Sequence, residues 1–200
     1  MLGRDYLVAG PTPCLKLVLV LGVVCVWGTA PAHAADVVPA KVQIPVLVKA
    51  LAFDRSLPQR SAGTVVWTVL YNPKVASSKS LANEVIEALS AVGNVGKLPL
   101  RFAAVAYDGG QQLEETLKSQ RVSVLYVSSS LEGEIAVISS LTRSHRVTSI
   151  ACDGAGVRNG LTVAVENRGN RPTIMVNLAS SKAEGTDFSS QLMRLVEIIR

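Results

Sequence analysis

The string TVVWTVLYNP, residues 64–73, decides the fold. Thr64 to Tyr71 is an unbroken apolar and β-branched run, and Asn72-Pro73 stops it. A strand that is apolar at nearly every position is one covered on both faces, as in a parallel sheet between layers of helix. Toward the C-terminus, Leu81, Val85, Ala88, Leu89 and Val92 recur at helical spacing. Ser80 is the expected N-cap of that helix, and Gly93 and Gly96 its stop. The unit then repeats. Leu100 to Tyr107 reads as a strand, Asp108-Gly109-Gly110 as a turn, and Leu113 with Leu117 as a short helix. Val122 to Val127 is a third strand. Ser129 and Glu132 stand at capping-box spacing before a helix striped by Leu131, Ile135, Ile138 and Leu141. Val147 to Cys152 is a fourth strand.

On the N-terminal side, Ile44, Leu47, Val48 and Leu51 predict a helix with Pro45 in its first turn, ending near Ser56-Leu57-Pro58. On the C-terminal side, DGAGVRNG (153–160) reads as a glycine-rich turn. LTVAVE (161–166) and TIMVNL (173–178) read as a hairpin. Phe188, Leu192, Leu195 and Ile199 predict a terminal helix capped by Thr186 or Asp187. The expected architecture is α/β: a mainly parallel central sheet flanked by helices, Rossmann-like, with four βα units, a C-terminal β-hairpin and a terminal helix.

The N-terminus reads as an export signal. Arg4 and Lys16 precede a charge-free stretch from Leu17 to Ala30, and Ala32-His33-Ala34 forms a small-residue cleavage site before Ala35. That apolar stretch is shorter than the ~20 residues of a membrane span. The expected organisation is a signal peptide over residues 1–34, a leader over 35–42 and one domain over 43–200, with the mature protein outside the cytoplasm. The formal charge of +5 falls by one when Arg4, Asp5 and Lys16 leave, and no basic run remains. Nucleic acid is therefore not an expected partner. Cys14 and Cys25 leave with the signal, so Cys152 stands alone, no disulfide is expected, and its apolar strand predicts a buried thiol.

Catalytic constellations are thin. His145 is the only histidine after the cleavage site. Seven residues of strand would hold it roughly 20 Å from Cys152, beyond any dyad. Beside Arg143 and Arg146 it reads as a solvated loop residue. No Cys/His pair has metal-ligand spacing, and no cofactor is expected. Gly154, Gly156 and Gly160 echo a nucleotide fingerprint, but the segment after them reads as strand where the fingerprint opens a helix. Glu114-Glu115 and Glu132-Gly133-Glu134 could be acid/base pairs. Each lies near a helix start, where negative charge is stabilising without any chemistry. The more informative feature is Ser128-Ser129-Ser130, after a strand and before a helix. In open α/β sheets ligands bind beyond the carboxyl ends of strands. That edge would gather Asn72, Asp108, Gly109, Ser128, Ser129, Ser130, Asp153 and Gly154 as a ligand site. Ordinary capping is the competing reading of the same residues.

The C-terminal quarter, LTVAVENRGNRPTIMVNLASSKAEGTDFSSQLMRLVEII, resembles the end of YfiR-like periplasmic proteins. Asp153, Gly154 and Gly160 match the family's loop, and Ile174, Val176 and Asn177 match its strand. Gly185, Phe188, Ser189, Ser190, Leu192 and Leu195 match its last helix. The resemblance spans roughly residues 41–200 and is specific over about the last 45. It implies a periplasmic α/β domain without catalytic residues that restrains a membrane-embedded diguanylate cyclase through that enzyme's periplasmic region. Paired cysteines are missing here, so disulfide-controlled activity is not implied. The expected partner is thus the extracytoplasmic region of a membrane signalling protein, with a small ligand and a homodimer left open. A solute-binding component of a transport system is the alternative reading.

Overall fold

The computed structural model describes residues 38–169 and 171–200; the expected signal peptide and its cleavage site lie outside them. Chain order begins with α1 (Ala40–Leu51), α2 (Leu57–Arg60), β1 (Val65–Tyr71), α3 (Ala76–Ser90), β2 (Asn94–Val95) and β3 (Leu98–Ala106). It continues with α4 (Gly110–Ser119), β4 (Val124–Val127), α5 (Ile135–His145), β5 (Thr148–Ala151) and α6 (Gly154–Arg158). Last come β6 (Val163–Arg168), β7 (Arg171–Asn177), α7 (Leu178–Ala183), α8 (Ser190–Met193) and β8 (Glu197–Ile199). Among the described residues these strands make one eight-stranded sheet in the order β2-β3-β1-β4-β5-β6-β7-β8. The pairs β3–β1, β1–β4, β4–β5 and β5–β6 are parallel. β6 and β7 form the expected antiparallel hairpin, with Val163 opposite Val176.

The opening string behaves as its composition requires. Val65, Trp67 and Val69 join Ile44, Leu47 and Leu51 of α1 and Val85 and Leu89 of α3 in one apolar core. Leu70 faces the other way, into a second core with Leu113, Leu125 and Ile138. All of these are fully buried. A strand feeding two cores cannot alternate polar and apolar, and that is why β1 reads as continuously apolar.

Three local expectations are corrected. α1 begins at Ala40, so Val38 and Ala40 are already buried and Pro45 lies inside the helix. Pro45 is exposed there, so the backbone bond it cannot donate is lost at the solvent face. α3 begins at Ala76, ahead of Ser80, without a side-chain cap. The Asp153–Gly160 stretch holds a five-residue helix, α6, capped by Asp153 Oδ1 accepting from Gly156 N. Its glycines serve close approach: a Cβ on Gly154 would stand 2.6 Å from Glu166 Oε1, and one on Gly156 2.5 Å from Ala151 Cβ.

The terminal helix is the largest difference. Ser189 caps only one turn, α8, accepting from Leu192 N, and the chain then straightens into β8. β8 pairs in parallel with β7, Val176 opposite Ile198. Leu192 is buried at 3 %, but Leu195 is 72 % exposed and is not an anchor. Val196, Ile198 and Ile199 are β-branched, and β7 would otherwise leave its edge open; covering that edge wins over helical spacing.

Candidate functional site

Because β3, β1, β4 and β5 run parallel, the segments following them meet at one edge of the sheet. A cleft of about 420 Å³ opens there, lined by Asn72, Lys74, Tyr107, Asp108, Gly109, Ser130 and Glu134 among others. Four of the eight expected site residues, Asn72, Asp108, Gly109 and Ser130, therefore share a cavity. Ser128 and Asp153 border a separate void of about 20 Å³, too small for a ligand. Ser129 and Gly154 line neither space.

The serine triplet is wired to the start of α3. Ser128 Oγ donates to the Ser78 carbonyl at 2.9 Å, and Ser78 Oγ donates to the Ser129 carbonyl at 2.7 Å. Asn72 N donates to Ser78 Oγ, and Asn72 Nδ2 donates to the Ser130 carbonyl at 3.0 Å. Asn72 Oδ1 accepts from Lys74 N. These groups tie the walls of the cleft together, so capping and bracing account for Ser128, Ser129 and much of Asn72. The capping box does not form: Glu132 Oε1 accepts from Ser130 N instead. Ser130 adopts φ +65°, a left-handed conformation that is strained for a residue other than glycine, at the rim of the cleft.

The remaining side chains give the cleft its character. Lys74 and Asp108 are exposed at its mouth. Tyr107 donates its hydroxyl to Glu134 Oε2 at 2.7 Å. Burial, reinforced by that carboxylate, pushes the Tyr107 phenol up to about 12, so it stays a donor. One cation, two carboxylates and a phenol around a small-molecule-sized cleft can hold a polar solute or a charged protein loop. Lys74, Tyr107 and Glu134 were not in the sequence-derived set. Lys74 and Tyr107 flank Pro73 and Asp108, and an aromatic hydroxyl at a strand end is the signal that marks Tyr107.

Other candidates resolve into structural roles. His145 is the last residue of α5 rather than a loop residue, with Nε2 3.6 Å from Glu114 Oε1. Lys118 pairs with the same carboxylate at 2.6 Å and holds it below its ordinary range. Cys152 is buried, and burial first, then Asp153, raises its thiol to about 12. Among the described residues no group of acidic, His and Cys side chains could hold a metal ion, and no helix is long and apolar enough to cross a membrane.

Two buried polar centres went unread in the sequence. Gln43 Nε2 donates to the carbonyls of Val38 and Cys152, while Tyr126 donates its hydroxyl to Gln43 Oε1. Glu184 lies under the opposite edge of the sheet from the cleft. It accepts from Thr142 Oγ1, from Ser149 N and Oγ, and from Thr162 Oγ1. Burial outweighs these bonds and raises its carboxyl above the ordinary range.

Solved structures of low sequence identity share the fold. A ligand-free, open substrate-binding protein with adhesive properties from Clostridium difficile superposes with TM-score 0.55 at 14 % identity, over 72 % of this chain and 57 % of that one. A structure described as an ABC domain in complex with L-Trp from Streptococcus pneumonia gives 0.59 at 14 %, over 80 % and 60 %. A conserved domain protein from Vibrio cholerae gives 0.60 at 9 %, over 81 % and 60 %. The chain thus spans under two thirds of the solved chains it matches. No curated protein matches its sequence at a significant level. A family model matches residues 74–197, from the loop after β1 to the start of β8, and its description agrees with the resemblance carried by Asp153, Asn177 and Ser189-Ser190. The chain belongs to the YfiR/HmsC-like family.

Proposed function

We propose that this protein is an exported, non-enzymatic regulatory module that works in the periplasm by contact with the extracytoplasmic region of a membrane signalling protein, such as a diguanylate cyclase. Family membership over residues 74–197 carries the reading. The cleft agrees with it: its braces, Asn72 and the serine triplet, fix a rigid rim, while Lys74 and Asp108 offer charge to a partner. In this reading residues 1–34 are removed after Ala34, which the intact mass of the exported protein checks. Binding is tested by titrating the purified exported protein against the soluble sensor region of a membrane cyclase from the same organism. Saturable binding weakened by charge reversal at Lys74 and Asp108 supports the proposal; no binding at any concentration rejects it.

A second reading has its own observation. The cleft volume of about 420 Å³ suits a small solute, and its place at the strand ends is where open α/β sheets bind ligands. Tight binding of a polar solute, lost in Asp108→Ala, would put solute capture ahead of protein contact.

A further inference from the structure

The edge of the sheet at β3 is left open, and we propose that a second copy of this chain closes it by antiparallel pairing of β3 with β3. β2 pairs with β3 only at Leu98 and Pro99, and Gly93 accepts the next outward bond from Leu100 N. On the other side Tyr107 N donates to the Tyr71 carbonyl, toward β1. Alternation along the strand then turns the backbone groups of Phe102, Ala104 and Ala106 outward. Among the described residues no strand pairs with them. Arg101, Ala103 and Ala104 are exposed, so neither face of the sheet shields this edge. Natural sheets guard such an edge with lysine, proline or a bulge, and residues 102–106 (FAAVA) contain no charge and no proline.

The free segment is its own complement. Its midpoint is Ala104, and a two-fold axis there makes the backbone groups of Phe102, Ala104 and Ala106 meet those of Ala106, Ala104 and Phe102 in the second copy. That register gives about six inter-strand hydrogen bonds. Each Phe102 ring lies across from an alanine, and Ala103 lies across from Val105, so no bulky pair collides. Charge fits as well. Arg101, the only charged residue of β3, makes no ion pair or side-chain hydrogen bond among the described residues. In the dimer it lies across from Tyr107 of the second copy, whose hydroxyl is held on the Glu134 carboxylate. The two Arg101 residues stand roughly 20 Å apart, beyond the reach of strong repulsion. The pairing also brings Arg101 of each copy to the Tyr107 wall of the other's cleft. The inference stands independently of what that cleft binds.

The test is the mass of the purified exported protein by sedimentation over a hundredfold range of concentration. Mass rising to twice the monomer value is expected. Ala104→Pro removes an outward donor and leaves the bonds to β1 intact, so it should stay monomeric and melt like the wild type at concentrations where the wild type is itself monomeric. If A104P fails to fold, A104K gives the same reading through edge repulsion. Cysteine fixes the register. A104C should cross-link on oxidation, because opposed residues in such a pair lie within disulfide range, while A106C should not. A wild-type protein monomeric throughout, an A104K protein that dimerises like wild type, or cross-linking of A106C in place of A104C overturns the proposal.

Discussion

Removing the buried carboxyl of Glu184 should cost more than removing any surface charge of this protein. Thr142 and Ser149 Oγ donate to Oε1 at 2.7 and 2.6 Å, and Ser149 N donates to Oε2 at 2.9 Å, so one side chain joins α5, β5 and the approach to β6. In Glu184→Ala the hydroxyls can turn elsewhere, Thr142 to the Ser139 carbonyl 3.1 Å away, but the Ser149 N–H cannot. One orphaned buried donor costs about 1–3 kcal/mol, and the void left behind adds about 1–2 kcal/mol. A loss of about 2–5 kcal/mol lowers the melting temperature by roughly 5–15 °C for a domain of this size. Glu184→Gln keeps the volume and should lose less than half of that. The two variants also separate in pH. Burial raises the folded carboxyl above its unfolded value of about 4.3, so the folded state holds a proton that the unfolded state releases. Glu184's contribution is therefore whole below about pH 4.3 and declines as pH rises through the raised folded value. Thermal melts from about pH 4 to about pH 8 should show wild type losing ground to E184Q as pH increases. A wild-type-minus-E184Q difference that is flat in pH, or an E184A melt within a degree of wild type, would show that the carboxyl neither titrates with folding nor braces these elements.

The other expectations are simpler. Leu192→Ala should cost about 2–5 kcal/mol and Leu195→Ala less than about 0.5 kcal/mol, read as melting temperatures, because the first side chain is 3 % exposed and the second 72 %; equal shifts would put the end of the chain in a helix after all. Cys152 should resist alkylation in the native state at neutral pH and react after denaturation, since it is buried and its thiol is raised to about 12; rapid native labelling contradicts this. Gly156→Ala should destabilise measurably in chemical denaturation, because its Cβ would stand 2.5 Å from Ala151 Cβ, which cannot rotate away; an unchanged midpoint would mean that α6 shifts freely.

What was legible in the sequence followed from burial. TVVWTVLY and VSVLYV announce strands covered on both faces, and the two apolar cores confirm the reason. The hairpin was legible because Gly169 and Pro172 interrupt two apolar runs. The terminal helix misled because Phe188, Leu192, Leu195 and Ile199 fit helical spacing, while the deciding fact, an open edge on β7, is tertiary. α6 was hidden for a related reason: its glycines answer crowding by Ala151, Glu166 and Met175, which lie elsewhere in the sequence. The lining of the candidate cleft was legible in part. Strand-end logic placed Asn72, Asp108, Gly109 and Ser130 together, but could not foresee that Ser78 would engage Ser128 and Ser129. Gln43 and Glu184 carry no local pattern, since their partners lie far along the chain.

As proposed, the protein restrains a membrane signalling enzyme from outside the cytoplasm. The most direct measurement is cellular cyclic di-GMP in three strains: intact, lacking the gene, and lacking it but supplied with a form without residues 1–34. Cyclic di-GMP should rise on deletion, and the unexported form should not reverse the rise. Equal cyclic di-GMP in the intact and deleted strains would contradict this.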